Sequence, residues 1–171
     1  MLRLFPEYGE LAVADAYDDL KLGAQAPAGR PYLIVNMVAT ADGRARIGED
    51  TAQLGGAIDQ QLFMKLREQV DCVIAGPRTV EAEQYKGPAS KPETRALRER
   101  RGLRPRPLFA TATRSGALPW AAPLFQDPGI EVVVFSEAEL AADDARASVT
   151  QVRERDPAAM LRELRDRFAV R

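Results

Sequence analysis

The side chains best suited to hold a ligand fall in two short stretches. In the first, Asn36 is followed by Thr40, Asp42 and Gly43; in the second, Gly76 is followed by Thr79, Glu81 and Glu83. Amides, hydroxyls and carboxylates orient a bound molecule, and a glycine lets that molecule approach the main chain. The chain has no histidine and one cysteine, Cys72. That composition excludes Ser-His-Asp and Cys-His catalysis, histidine-ligated metal and an intramolecular disulfide. Catalysis must therefore use carboxylates, lysine, tyrosine or hydroxyls, or a cofactor that brings its own chemistry. Cys72 lies inside an apolar run and reads as a small buried hydrophobe, not a nucleophile.

Both stretches follow strand-like runs. Cys72 to Ala75 is apolar without alternation, as in a strand covered on both faces, and ligands of open α/β sheets sit at the carboxyl end of such strands. Gly76 ends this run, and Pro77 suits a turn or a first helical position. Residues 32–39 are apolar except for Asn36, which predicts a buried strand whose amide satisfies neighbouring backbone or faces a pocket. Asp42-Gly43 is a tight-turn pair, with a short return strand expected over 44–47. Between the stretches, Ile58, Leu62, Leu66 and Val70 recur every four residues and predict a helix from Ala57, with Asp59 in its first turn.

The remaining pattern continues in the same manner. A short helix is expected over 11–22 and a connector over 24–30. Residues 86–106 are polar and mostly basic; such a run could hold phosphate, but charge runs usually face water. Strands are predicted over 108–113, 130–135 and 148–152. Ser136 and Glu139 have capping-box spacing, and Asp156-Pro157 opens a helix with Met160, Leu161, Leu164 and Phe168 on one face. Strands alternating with helices predict an α/β fold with a mostly parallel central sheet flanked by helices. Ala169-Val170 resembles the start of a further strand, so the sheet is expected to be incomplete at the C-terminus.

The 171 residues are 46% hydrophobic and 29% charged with a net charge of −1. This is the balance of a soluble globular domain, with no electrostatic case for nucleic acid. The N-terminus lacks a signal-like apolar region, and no run is long enough to span a bilayer, so a cytoplasmic location is expected.

Arg30-Pro31-Tyr32, the run from Asn36 to Gly43, the helix ending Leu66-Arg67, and Gly76-x-x-Thr79-Val80-x-Ala82-Glu83 together resemble the reductase domain of bacterial riboflavin biosynthesis, above all its stand-alone pyrimidine reductase branch. The resemblance runs from about residue 30 to the end, with residues 1–29 as an N-terminal extension. It implies a dihydrofolate reductase-like fold and a homodimer. It also implies NADPH-dependent reduction of a phosphorylated pyrimidine, 5-amino-6-(5-phosphoribosylamino)uracil, by hydride delivery to ribose C1′. By the same resemblance, Asn36, Thr51 and Arg67 would face substrate. Val38, Thr40, Asp42, Gln53, Gly76, Thr79, Glu83 and Thr113 would face the cofactor.

The chain also departs from that family. The Asn-Pro-x-Leu-Thr-x-Arg segment of the bifunctional enzymes is absent, as is the Gly-Gly-Pro loop that would cradle cofactor phosphates. Two other readings follow: a dihydrofolate reductase-like NADPH reductase, and a non-catalytic, truncated nucleotide-binding module.

Overall fold

The computed structural model describes residues 1–171 apart from 5, 6, 19, 46–53 and 143. The chain forms two units. The first comprises Met1–Lys21 and Leu33–Arg67, the second Leu22–Tyr32 and Glu68–Arg171.

In the first unit, β1 (Leu2–Arg3) and β2 (Gly9–Glu10) form an antiparallel pair with Leu2 opposite Glu10. Over 11–22, where a helix is predicted, the described residues hold a 3-10 turn at Val13–Asp15 in place of an α-helix; Tyr17 and Lys21 adopt positive φ angles of 67° and 42°, which a continuous helix does not allow. Helix α1 (Ala57–Arg67) lies where its periodicity predicts, with Asp59 in its first turn and Lys65 and Arg67 in its last, charges that suit the helix dipole. Lys65 pairs with Asp18 at 3.4 Å. The helix stops before Val70, and none of its residues is buried.

The largest departure from the sequence reading is the run 32–39. It forms no strand, and its apolar side chains are exposed at alternate and successive positions alike, Val35 by 70% and Met37 by 79%. Asn36 is therefore not a buried amide, and Val38 is exposed rather than set in a sheet. The physical reason is that a strand exists only by pairing: β-branched residues fit a pleated, half-buried surface but do not create one. No described strand pairs with this run.

The second unit opens with a 3-10 turn at Leu22–Gln25. It then runs β3 (Cys72–Ile74), α2 (Pro77–Ala82), α3 (Pro92–Arg100), β4 (Leu108–Ala112), α4 (Pro123–Gln126), β5 (Glu131–Phe135), β6 (Ser148–Val152) and α5 (Pro157–Phe168). The strands lie in the order β3-β4-β5-β6, all parallel, with Val73 opposite Phe109, Ala110 opposite Val133 and Val133 opposite Thr150. Alternate residues of the apolar runs feed two cores, which is why the runs are continuous. One core joins Phe109, Val132 and Val134 to Val80, Leu124, Phe125 and Ile130; the other joins Leu108, Ala110, Val133 and Phe135 to Leu164 of α5. Asp156 caps α5 as predicted, its Oδ2 accepting from the Ala159 N–H at 2.8 Å, with Pro157 in the first turn.

Three local expectations give way to tertiary contacts. Ser136 and Glu139 do not cap a helix; the Ser136 hydroxyl donates to Ala138 O, and the segment is held instead by Gln151, whose Nε2 donates to Ser136 O and Ala138 O at 2.9 and 2.8 Å. Ala169 does not begin a strand but closes α5 in the left-handed conformation. Arg98, expected on a solvated connector, is completely buried, because the turn after α3 folds over it. Leu103 N–H donates to Arg98 O, and Arg98 Nε donates to Arg104 O at 2.9 Å. Burial pushes the Arg98 pKa down to about 10, against the fields of Asp71 and Glu68.

Arg106 and Asp127 form a 2.6 Å ion pair that ties the entry of β4 to the entry of β5. The hydrogen bond from Arg106, and then that from the Gly129 N–H, hold the Asp127 carboxyl below its usual range. A carboxyl depressed in the folded state contributes stability that is present above its unfolded pKa and is lost as pH falls through the folded one. Asp127→Asn should therefore flatten part of the acid limb below about pH 4, read by urea unfolding at several pH values. An acid limb identical to that of the wild type would mean the pair makes no difference to folding.

Candidate functional site at the carboxyl ends of the strands

In a parallel sheet every carboxyl end lies along one edge, so the residues just beyond successive strands gather there. Beyond β3 come Gly76 and α2. Gly76 has φ −73° and ψ 156°, which any residue can adopt, and a Cβ there would meet nothing within 4 Å. Neither backbone strain nor internal crowding calls for glycine, and the space beside its main chain is open. Thr79 is exposed, and its hydroxyl has no hydrogen-bond partner among the described residues. Glu83 is exposed at the end of α2, its N–H bonded to Thr79 O at 3.0 Å.

Beyond β4, Thr113 N–H donates to Phe135 O at 3.0 Å, and its hydroxyl donates to Ala117 O at 3.2 Å, closing a short turn. Gly116 in that turn has φ 77°, and a Cβ on it would stand 2.3 Å from Glu139 O. The loops after β4 and β5 are thus in direct contact, and the Gln151 clamp on 136–138 braces them from β6. The edge is built before any ligand arrives, which lowers the ordering cost of binding.

Two cations on this edge were not singled out by sequence reasoning. Arg78 and Arg114 are exposed, and neither has an ionic or hydrogen-bond partner among the described residues. The signal that could have found them is position: each follows a strand's carboxyl end by only a few residues. The edge can therefore take an anion through two guanidiniums, a hydroxyl and open main chain. Glu81, Glu83, Glu137 and Glu139 there are all exposed, so none has the buried setting that tunes a general acid.

The other sequence-predicted residues lie in the first unit. Thr40, Asp42 and Gly43 form the expected turn: Gly43 N–H donates to Thr40 O at 2.8 Å, Arg44 N–H donates to Thr40 Oγ1 at 2.9 Å, and the Thr40 hydroxyl donates to Asp42. Asp42 also pairs with Arg44 at 3.1 Å. These contacts give Thr40 and Asp42 a structural role. Arg67 holds its guanidinium over the Phe63 ring, 4.0 Å from the centroid. Thr51 and Gln53 lie outside the described residues. So Gly76, Thr79 and Thr113 share one edge, with Glu83 a turn behind, while Asn36, Val38, Thr40, Asp42 and Arg67 belong to the other unit.

Cys72 keeps its structural reading. Burial pushes its thiol pKa up to about 12, with the Asp71 carboxylate adding to the shift, so it is no nucleophile at neutral pH. Among the described residues no group of acidic and cysteine side chains could hold a metal ion, and no helix is long and apolar enough to cross a membrane.

Comparison with solved structures supports the α/β reading. The chain matches a pyrimidine reductase-like protein from Corynebacterium diphtheriae with a TM-score of 0.64 at 15% identity, over 78% of this chain and 60% of that one. Two forms of Acinetobacter baumannii RibD match with a TM-score of 0.63 at 20% identity, over 84% of this chain and 38% of theirs. At such identities the likeness is one of fold, that of reductase domains of the dihydrofolate reductase type, and the chain spans less than two thirds of each of these proteins. A search of curated sequences finds no match. The family model of the RibD C-terminal domain matches residues 31–171. With most of the chain matched by that model, this protein belongs to the RibD C-terminal domain family.

Proposed function

We propose that the chain acts as a reductase of riboflavin formation, binding NADPH along the carboxyl edge of β3 and β4 and reducing 5-amino-6-(5-phosphoribosylamino)uracil. The observation that carries this reading is the pair of unpartnered guanidiniums, Arg78 and Arg114, just beyond the carboxyl ends of the paired strands β3 and β4, with open main chain at Gly76. The residues fit a phosphorylated dinucleotide: the two arginines for its phosphates, the Thr79 hydroxyl for a further hydrogen bond, and Gly76 for close approach. When bound, the cofactor supplies a hydride for ribose C1′, which accords with a chain that has no histidine. The protein's share is then to hold two ligands in register.

Titration with NADPH and with NADH, followed by Trp120 fluorescence and calorimetry, tests this. NADPH should bind saturably and more tightly than NADH. Arg114→Ala should weaken NADPH about tenfold or more, the scale of a charged hydrogen bond. Absent NADPH binding, or an NADPH affinity that Arg114→Ala leaves unchanged, would remove the cofactor assignment.

A further inference from the structure

The basic segment expected to be a solvated connector lines a cleft at the opposite edge of the sheet. The cleft has a volume of about 410 Å³ and lies where β4 and β5 begin, lined by Arg95 of α3, Arg104, Arg106, Leu108, Gly129 and Glu131. That volume is in the range of small-molecule sites, roughly 300–1,000 Å³.

Its cations are only partly engaged. Arg95 commits one donor, Nη1, to Ser90 O at 2.6 Å. Arg106 commits one to Asp127 at 2.6 Å. Arg104 gives Nη1 to Glu131 at 3.1 Å and Nη2 to Phe168 O at 3.1 Å. A guanidinium carries five N–H donors, so all three retain donors for a ligand. Three positive groups face two carboxylates, Glu131 and Asp127. The Glu131 side chain is 64% exposed, and exchanging such a surface pair for a better anion costs little.

The cleft is also stiff. Arg104 and Arg106 alternate with Pro105 and Pro107, which fix φ and hold the preceding residues extended. Gly129 places no side chain before Arg106; a Cβ there would stand 3.6 Å from Arg106 Cζ. Fixed guanidiniums lose less freedom on binding an anion.

We propose that this cleft is a binding site for a small phosphate-bearing anion, held by Arg95, Arg104 and Arg106 at the amino edge of the sheet. It is distinct from the proposed cofactor edge and does not depend on it. The ligand's recognised group is a phosphate, free or carried by a small metabolite.

The test is calorimetry of the full chain with pyrophosphate, inorganic phosphate and ribose 5-phosphate at constant ionic strength, in an Arg78→Ala/Arg114→Ala background that lacks the cations of the other edge. One saturable site is expected, weakened tenfold or more by Arg95→Gln or Arg104→Gln and unmoved by Arg100→Gln, which changes an exposed charge on the same helix outside the cleft. Arg106 stays intact, so Asp127 keeps its partner and circular dichroism should be unchanged. Ribose 5-phosphate binding above inorganic phosphate would assign the site to a phosphorylated metabolite, and the reverse order to the free oxyanion. No saturable binding, or equal weakening by Arg100→Gln, would overturn the proposal.

Discussion

Phe109→Ala is expected to cost the sheet-bearing unit about 3–5 kcal/mol, the usual range for deleting a large buried ring. Phe109 is completely buried in β4, an inner strand of the sheet, and packs in the core with Val80, Phe125 and Val132. Its ring centroid lies 5.5 Å from that of Tyr85, tilted by 40°. The surrounding groups are fixed by the parallel ladder on both sides, β3 at Val73 and β5 at Val132. They cannot easily collapse into the space, so the cavity penalty adds to the lost transfer energy. Since small domains hold only about 5–15 kcal/mol in total, the variant should unfold near ambient temperature or early in urea. Ile74→Ala is the control: Ile74 is 53% exposed on edge strand β3 and should cost far less. Similar losses for the two variants would mean that the face carrying Phe109 is not packed as described.

How much of this was legible in the chain depends on where each element finds its partners. The strands at Leu108–Ala112, Glu131–Phe135 and Ser148–Val152 were readable because their neighbours are one another, so a local apolar run was enough. Helix α5 was readable because Asp156 and Pro157 carry their own start signal. The run 32–39 had an equally strong pattern and failed, because pairing is a property of two segments and the pattern describes one. Arg98 was misread for the converse reason: its arginine-rich surroundings suggest solvent, but burial is decided by the turn at 101–104 closing over it. For the site, the positions after β3 and β4 were legible as strand ends. The contact between Gly116 and Glu139, and the Gln151 clamp, join residues from three separate connections. No spacing in the sequence announces them.

Gly116→Ala should be the most damaging substitution on the candidate edge, and Gly102→Ala shows why. Both glycines sit in the left-handed region, at φ 77° and 72°. An alanine forced into that region costs about 1–2 kcal/mol. At Gly102 that is the whole effect, because a Cβ would meet nothing within 4 Å. At Gly116 the Cβ would stand 2.3 Å from the Glu139 carbonyl oxygen, a backbone atom that cannot rotate away. Either the 113–117 turn or the 136–140 segment must move, and the Gln151 bonds to Ser136 O and Ala138 O resist the second choice. The expected loss is about 3 kcal/mol or more, on the scale of overpacking added to backbone strain. Because the turn also carries Thr113 and Arg114, the displacement should weaken NADPH at temperatures where the variant is still folded, while Gly102→Ala leaves the nucleotide unaffected. Urea unfolding and nucleotide titration of the two variants separate the terms. Equal stability would mean that the two loops do not touch. A stability gap with unchanged NADPH affinity would mean that the contact serves folding alone and that the anion edge is organised without it.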